Sequence, residues 1–134
     1  MSGLVLKLTP RERILVNGAV IENGDRRSKI SILTPNASIL RLKDAIKPEE
    51  AKTPVRRVCY IAQLVLSGDA ELDSATIQLS TGIEQLCQVF DDPTSKKSLA
   101  NAKTALAEHD FYKVLKFLRS LFVLEDSLIA SVNR

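Results

Sequence analysis

The sequence predicts an α+β fold: an N-terminal antiparallel β meander or small barrel over residues 1–47, then an antiparallel bundle of three to four helices over residues 48–134. Three observations predict it. Up to about residue 42, apolar residues recur with period two in short runs. Two Asn-Gly steps, Asn17-Gly18 and Asn23-Gly24, punctuate those runs with the residues that type I′ hairpin turns demand, because both tolerate positive φ. Beyond Thr53-Pro54 the period becomes helical, and Leu72, Leu79 and Leu86 repeat every seven residues.

Taken in order, Leu4-Val5-Leu6-Lys7-Leu8 reads as a first strand and Thr9-Pro10-Arg11-Glu12 as a turn. Ile14-Leu15-Val16 runs into Asn17-Gly18, and Ala19-Val20-Ile21-Glu22 into Asn23-Gly24-Asp25. Lys29-Ile30-Ser31-Ile32-Leu33 alternates, Thr34-Pro35-Asn36 interrupts, and Ser38-Ile39-Leu40-Arg41-Leu42 completes about five strands. Residues 47–54 form a connector with room for one helical turn after Pro48. Thr53 as N-cap with Pro54 at the first helical position starts a helix that Ser67-Gly68-Asp69 ends. A seam of Leu72, Leu79, Ile83, Leu86 and Phe90 then describes a helix made to meet a partner helix, with Gly82 marking a close approach. Asp91-Asp92-Pro93 closes it, and Thr94 or Ser95 caps a third helix to about Leu106. A turn at Glu108-His109-Asp110 leads to a last helix that is apolar from Phe111 to Ile129. The two halves are read as a basic β subdomain and a helical subdomain, forming one compact unit or two closely packed ones.

At 134 residues the chain is long enough to bury a core without disulfides or metal. Trp is absent and aromatics make up 4%, so Leu, Ile and Val must fill the interior. The N-terminus shows no basic segment followed by an apolar one, and no apolar run approaches the roughly 18 residues that span a bilayer, so the expected location is the cytoplasm with no membrane partner. Cys59 and Cys87 lie far apart in apolar surroundings and read as buried free thiols. A single His109 excludes multi-histidine metal sites, and no cofactor is implied.

Catalysis finds no support. There is no Gly-rich phosphate loop and no cysteine pair at metal-ligand spacing. Glu49-Glu50, Asp91-Asp92 and Glu125-Asp126 fall at helix ends or on solvated faces. Charge is more informative. Residues 1–57 hold twelve of the 19 Lys and Arg but six of the 16 Asp and Glu, so a polyanion is expected at the N-terminal part. Arg26-Arg27 follows a turn. Arg11, Arg13, Arg41 and Lys43 alternate on strand positions where long cations line one sheet face. Arg56-Arg57 sits in a helix's first turn, where the macrodipole disfavours cations, so either an internal partner such as Glu49-Glu50 or a bound anion holds it. Tyr60, Phe111 and Tyr112 lie outside the basic half, so backbone and shape contacts to a nucleic acid are expected rather than base stacking.

"NGAVIENGDRR", "ILRLKDAIKPEEAKTPVRR" and "LAEHDFYKVLKFLRSL" followed by Glu125 resemble the FlbT family of flagellin regulators over nearly the whole chain. Two departures stand out. Val58-Cys59-Tyr60 occupies the place of a usual aromatic pair, and His109 that of a small residue, often Gly. The resemblance implies a non-enzymatic, post-transcriptional role: association with the 5′ untranslated leader of flagellin mRNA and promotion of its decay, with flagellin and the FlaF regulator as further partners. The alternative, on the amphipathic helical half and its heptad seam, is a chaperone-like flagellin-binding interaction module that regulates flagellin indirectly or positively. Homo-oligomerisation through the heptad seam is a third expectation. The layout of "LVLKLTPRERILVNGAV" and "KISILTPNASILRLKDAI" is also similar to the carbon-storage regulator CsrA family. That likeness implies that Arg41 lies on the strand lining the RNA site.

Overall fold

A computed structural model describes residues 3–35 and 37–132. Asn36 of the expected Thr34-Pro35-Asn36 turn lies outside the described residues, as do Met1 and Ser2. Among the described residues five strands, β1 (Leu4–Leu8), β2 (Arg13–Val16), β3 (Ala19–Glu22), β4 (Ser28–Ile32) and β5 (Ile39–Arg41), precede five α-helices. These are α1 (Pro54–Leu66), α2 (Leu72–Val89), α3 (Pro93–Ala107), α4 (Phe111–Arg119) and α5 (Phe122–Val132).

The strands do not form the expected meander or barrel. They make two small open antiparallel sheets, β1-β4 and β3-β2-β5. Asn17 (φ 49°) and Gly18 (φ 84°) build the left-handed two-residue turn between β2 and β3. Asn23-Gly24 does something else: β4 leaves β3 and pairs with β1. The Asn23 side chain accounts for this. Its Nδ2 donates to the carbonyls of Thr9 (2.7 Å) and Arg26 (2.9 Å), and its Oδ1 accepts from Ser28 Oγ (2.6 Å). The Asn23 amide also donates to the Glu12 carbonyl. The step is thus a polar hub that tethers the end of β3 beside the turn after β1 and steers the chain to the other sheet.

The sheets enclose a small apolar cluster of Leu6, Leu8, Ile14 and Ile39. Leu40 of β5 belongs instead to the helical core, with Leu15 packed against it. Around that core α1, α2, α3 and α4 form a ring, each packed on its two neighbours in chain order and α4 closing on α1. Gln63 of α1 fixes the connector, donating to the Ile46 carbonyl (2.8 Å) and accepting from its amide (2.6 Å). The expected turn after Pro48 is a single 3-10 turn, Pro48–Glu50.

Helix ends follow their local chemistry. Thr53 caps α1 with Pro54 at its first position, while α3 is capped by Asp92, not Thr94 or Ser95, because Pro93 takes the first helical position. Helices α1 and α3 end in the same motif. Gly68 (φ 82°) and His109 (φ 57°) are left-handed, and the next residues, Asp69 and Asp110, donate back to Leu64 and Ala105. The last helix is not continuous. A turn at Ser120-Leu121 buries Leu121 and separates α4 from α5. Glu125 of α5 then reaches the start of α1, accepting from the Val55 amide (2.7 Å) and the Thr53 hydroxyl.

Candidate functional site

Most of the cations expected to form a phosphate-binding stripe are committed inside the chain. Arg41 Nε donates to Glu12 Oε2 (2.7 Å), and its Nη2 to Glu12 Oε1 (2.8 Å) and to the Lys7 carbonyl (2.6 Å). The hydrogen bond from Arg41 holds the Glu12 carboxyl down to about 2, against the upward push of burial, with further help from the Thr9 amide and the Lys43 charge. Lys43 Nζ lies 3.8 Å from the same carboxylate. Arg11 pairs with Asp25 (2.6 Å) and Glu22 (3.5 Å), and Arg13 Nε donates to Glu22 (2.9 Å).

Nor do these residues share a face. Arg11 lies in a turn with φ 62°, outside any strand. Arg41 is the cross-strand partner of the buried Ile14, so it stands on Ile14's face, whereas the neighbouring Arg13 points to the other. The expected single stripe is therefore absent.

At α1, Arg56 donates to Glu125 (3.0 Å) and Asp126 (2.9 Å), with its guanidinium 4.3 Å from the Phe122 ring centre. The internal partner is α5, not Glu49-Glu50. Those contacts, Asp126 first, raise the Arg56 pKa and offset its position at a helix start. Arg57 donates to the Lys52 carbonyl (3.1 Å).

Arg26 and Arg27 stand apart. Both are exposed just before β4, and neither side chain has an ion pair among the described residues. The fold adds two cations to them that sequence reasoning missed. In the β1-β4 ribbon Lys7 lies directly opposite Lys29, with Leu8 opposite Ser28. Both lysines are exposed, since β1 buries Leu6 and Leu8 and turns Val5 and Lys7 outward. Like charges directly opposed are unfavourable without an anion between them. Lys7, Arg27 and Lys29 line one open hollow with Leu8, Thr9 and Ser28, and no carboxylate borders it. The only local signal was a single lysine in each strand; their juxtaposition depends on a register between strands distant in sequence.

The helical seam is used within the chain. Leu79, Ile83, Leu86 and Phe90 are buried in the core, and Leu72 alone is exposed, at 45%. A different apolar groove remains open, between Val89 and Phe90 at the end of α2 and Leu128, Ile129 and Val132 of α5. Cys59 is fully buried, and burial pushes its thiol well above the ordinary range; Cys87 is half-buried and also free. No group of three potential metal ligands occurs among the described residues.

The family described as flagellar protein FlbT matches residues 4–129. The chain belongs to the FlbT family. A "Probable flagellum biosynthesis repressor protein FlbT" of a Caulobacter species is 30% identical over 130 residues, spanning 97% of this chain and 98% of the relative. The "Flagellum biosynthesis repressor protein FlbT" of Caulobacter vibrioides is 28% identical over 130 residues, spanning 97% and 92%. A FlbT protein of Bradyrhizobium diazoefficiens reaches 33% over 127 residues, spanning 93% and 84%. No solved structure matches the chain. Among the described residues of this FlbT-family chain, no helix is long and apolar enough to cross a membrane.

Proposed function

We propose that the chain represses flagellum biosynthesis after transcription, binding the 5′ untranslated leader of flagellin mRNA and promoting its decay. The repressor role follows from the names of its FlbT relatives. The observation that carries RNA binding is the opposed Lys7–Lys29 pair with Arg27 beside it, a cationic hollow without a neutralising carboxylate. Such a surface meets phosphates and binds in a salt-dependent way.

Gel-shift titration of a flagellin leader RNA with nucleic-acid-free protein tests this reading. Replacing Lys7 and Lys29 by Ala, or Arg26 and Arg27 by Ala, weakens binding and lowers the salt slope by about 1.4 for two phosphate contacts to single-stranded RNA. Unchanged affinity in both double variants would remove the assignment.

The groove between α2 and α5 favours a second reading, in which the helical half holds an apolar helix of flagellin and regulation is indirect. Co-purification of flagellin with the full chain, lost on Ile129→Asp, distinguishes it. FlaF would be tested as a partner in the same assay.

A further inference from the structure

Tyr112, Lys116 and Arg119 of α4 fall at i, i+4 and i+7, a single stripe of that helix. All three line a cleft of about 180 Å³, with Leu40 and Arg41 of β5, Leu115 and the carboxylate of Asp44 alongside. Tyr112 is half-buried and packs against the cluster between the two sheets. It also lines a second hollow, shared with Leu4, Ile32 and Ala37. The fold has thus carried an aromatic ring from the helical half into the basic half of the molecule.

Charge in the cleft is unevenly committed. Asp44 holds Arg119 through both guanidinium ends, at 3.1 Å each, and Glu12 holds Arg41. Lys116 is exposed and has no ion pair among the described residues. The volume is below the roughly 300–1,000 Å³ of clefts that enclose drug-sized ligands, which suits one planar ring rather than a whole dinucleotide cofactor. An aromatic side chain, apolar neighbours and an exposed ammonium without an ion pair are the kinds of group that recognise a splayed-out base and its phosphate.

We propose that this cleft takes one unpaired base of a bound RNA, stacked on Tyr112 with the adjoining phosphate on Lys116. The inference rests on the RNA reading above and deepens it, because Arg41 connects the two places: its Nη2 donates to the carbonyl of Lys7, whose side chain lines the ribbon hollow. Specificity for unpaired RNA follows from the need to insert a base.

The test uses the full chain and a flagellin leader RNA in equilibrium gel shifts. Tyr112→Leu weakens binding about tenfold or more, the scale of one lost base stack, and Tyr112→Phe, which keeps the ring, recovers most of that loss. Lys116→Ala weakens binding and lowers the salt slope by about 0.7. Lys116 is exposed, so its variant reads out binding even where a Tyr112 variant perturbs packing. Wild-type affinity in both Tyr112→Leu and Lys116→Ala, alongside weakened Lys7 and Lys29 variants, overturns the cleft and leaves the ribbon reading standing. Absence of RNA binding by the wild-type chain overturns both. Equal losses for Tyr112→Phe and Tyr112→Leu overturn stacking as the mode of recognition.

Discussion

Arg41 and Glu12 form a two-point ion pair across the junction of the two sheets, at 2.7 and 2.8 Å, with the Glu12 side chain 3% exposed. The same guanidinium bonds the Lys7 carbonyl, so one side chain fastens β5 to both the β1–β2 turn and β1 itself. Arg41→Ala would remove the main partner of a buried carboxylate; breaking a buried pair costs about 3–5 kcal/mol, less what Lys43 and the Thr9 amide still supply. Urea unfolding should show that loss, and Glu12→Gln combined with Arg41→Ala should cost less than the two single changes added together.

The pair also sets an acid limit. The Glu12 carboxyl titrates at about 2 in the folded chain against 4.5 without its partners. A depressed carboxyl contributes its full stability above the unfolded value and loses it as pH falls through the folded one. Glu22 and Asp92 are lowered as well, by Arg13 and Ser95 foremost, and act in the same direction. Thermal stability should therefore decline between pH 4.5 and 2, and Glu12→Gln should flatten that decline.

Gly82 faces Val58 across α1 and α2 so closely that an added Cβ would lie 2.7 Å from Val58 Cγ2. Alanine gains about 1 kcal/mol of helix propensity but overpacks a stiff, buried neighbour at about 1–3 kcal/mol. Gly82→Ala should thus be neutral to destabilising. In the Val58→Ala background the same change should become stabilising, which a double-mutant cycle reads directly.

His109 occupies at the end of α3 the left-handed position that Gly68 occupies at the end of α1. A side chain there carries a backbone penalty that glycine avoids. His109→Gly should raise stability by about 0.5–1 kcal/mol, less the edge contact with the Phe111 ring. Differential scanning calorimetry would register a rise of a few degrees.

The helices were legible because their signals are local. Thr53-Pro54, Ser67-Gly68-Asp69 and the Leu79–Leu86 spacing each specify a cap, a stop or a buried face within a few residues. Sheet pairing was not local. Asn17-Gly18 announced its hairpin, whereas Asn23-Gly24 has the same letters but bonds to Thr9, Glu12 and Ser28, partners distant enough to override the turn chemistry. The arginines divide in the same way. Arg11, Arg13, Arg41 and Arg56 look alike in sequence, and only folding shows which carboxylates claim them. Arg26 and Arg27 stood out in the sequence only for following a turn, and it took the fold to pair the nearby Asp25 with Arg11 instead; Lys7, Lys29 and Tyr112 entered the candidate sites only through strand register and helix placement.

The pairing of β1 with β4 encloses the whole β2–β3 hairpin, and β5 then returns to β2 from outside. Such nesting imposes an order of closure. The hairpin closes across two residues, whereas Leu8 and Ser28 meet only after the intervening segment has been looped out, at a greater entropic cost. Pulsed hydrogen exchange during refolding should accordingly protect Val16 and Ala19 before Leu6 and Ile30; the reverse order would exclude this route. The cationic ribbon, with Lys7 brought opposite Lys29, is then a late product of folding, completed only after the hairpin it encloses.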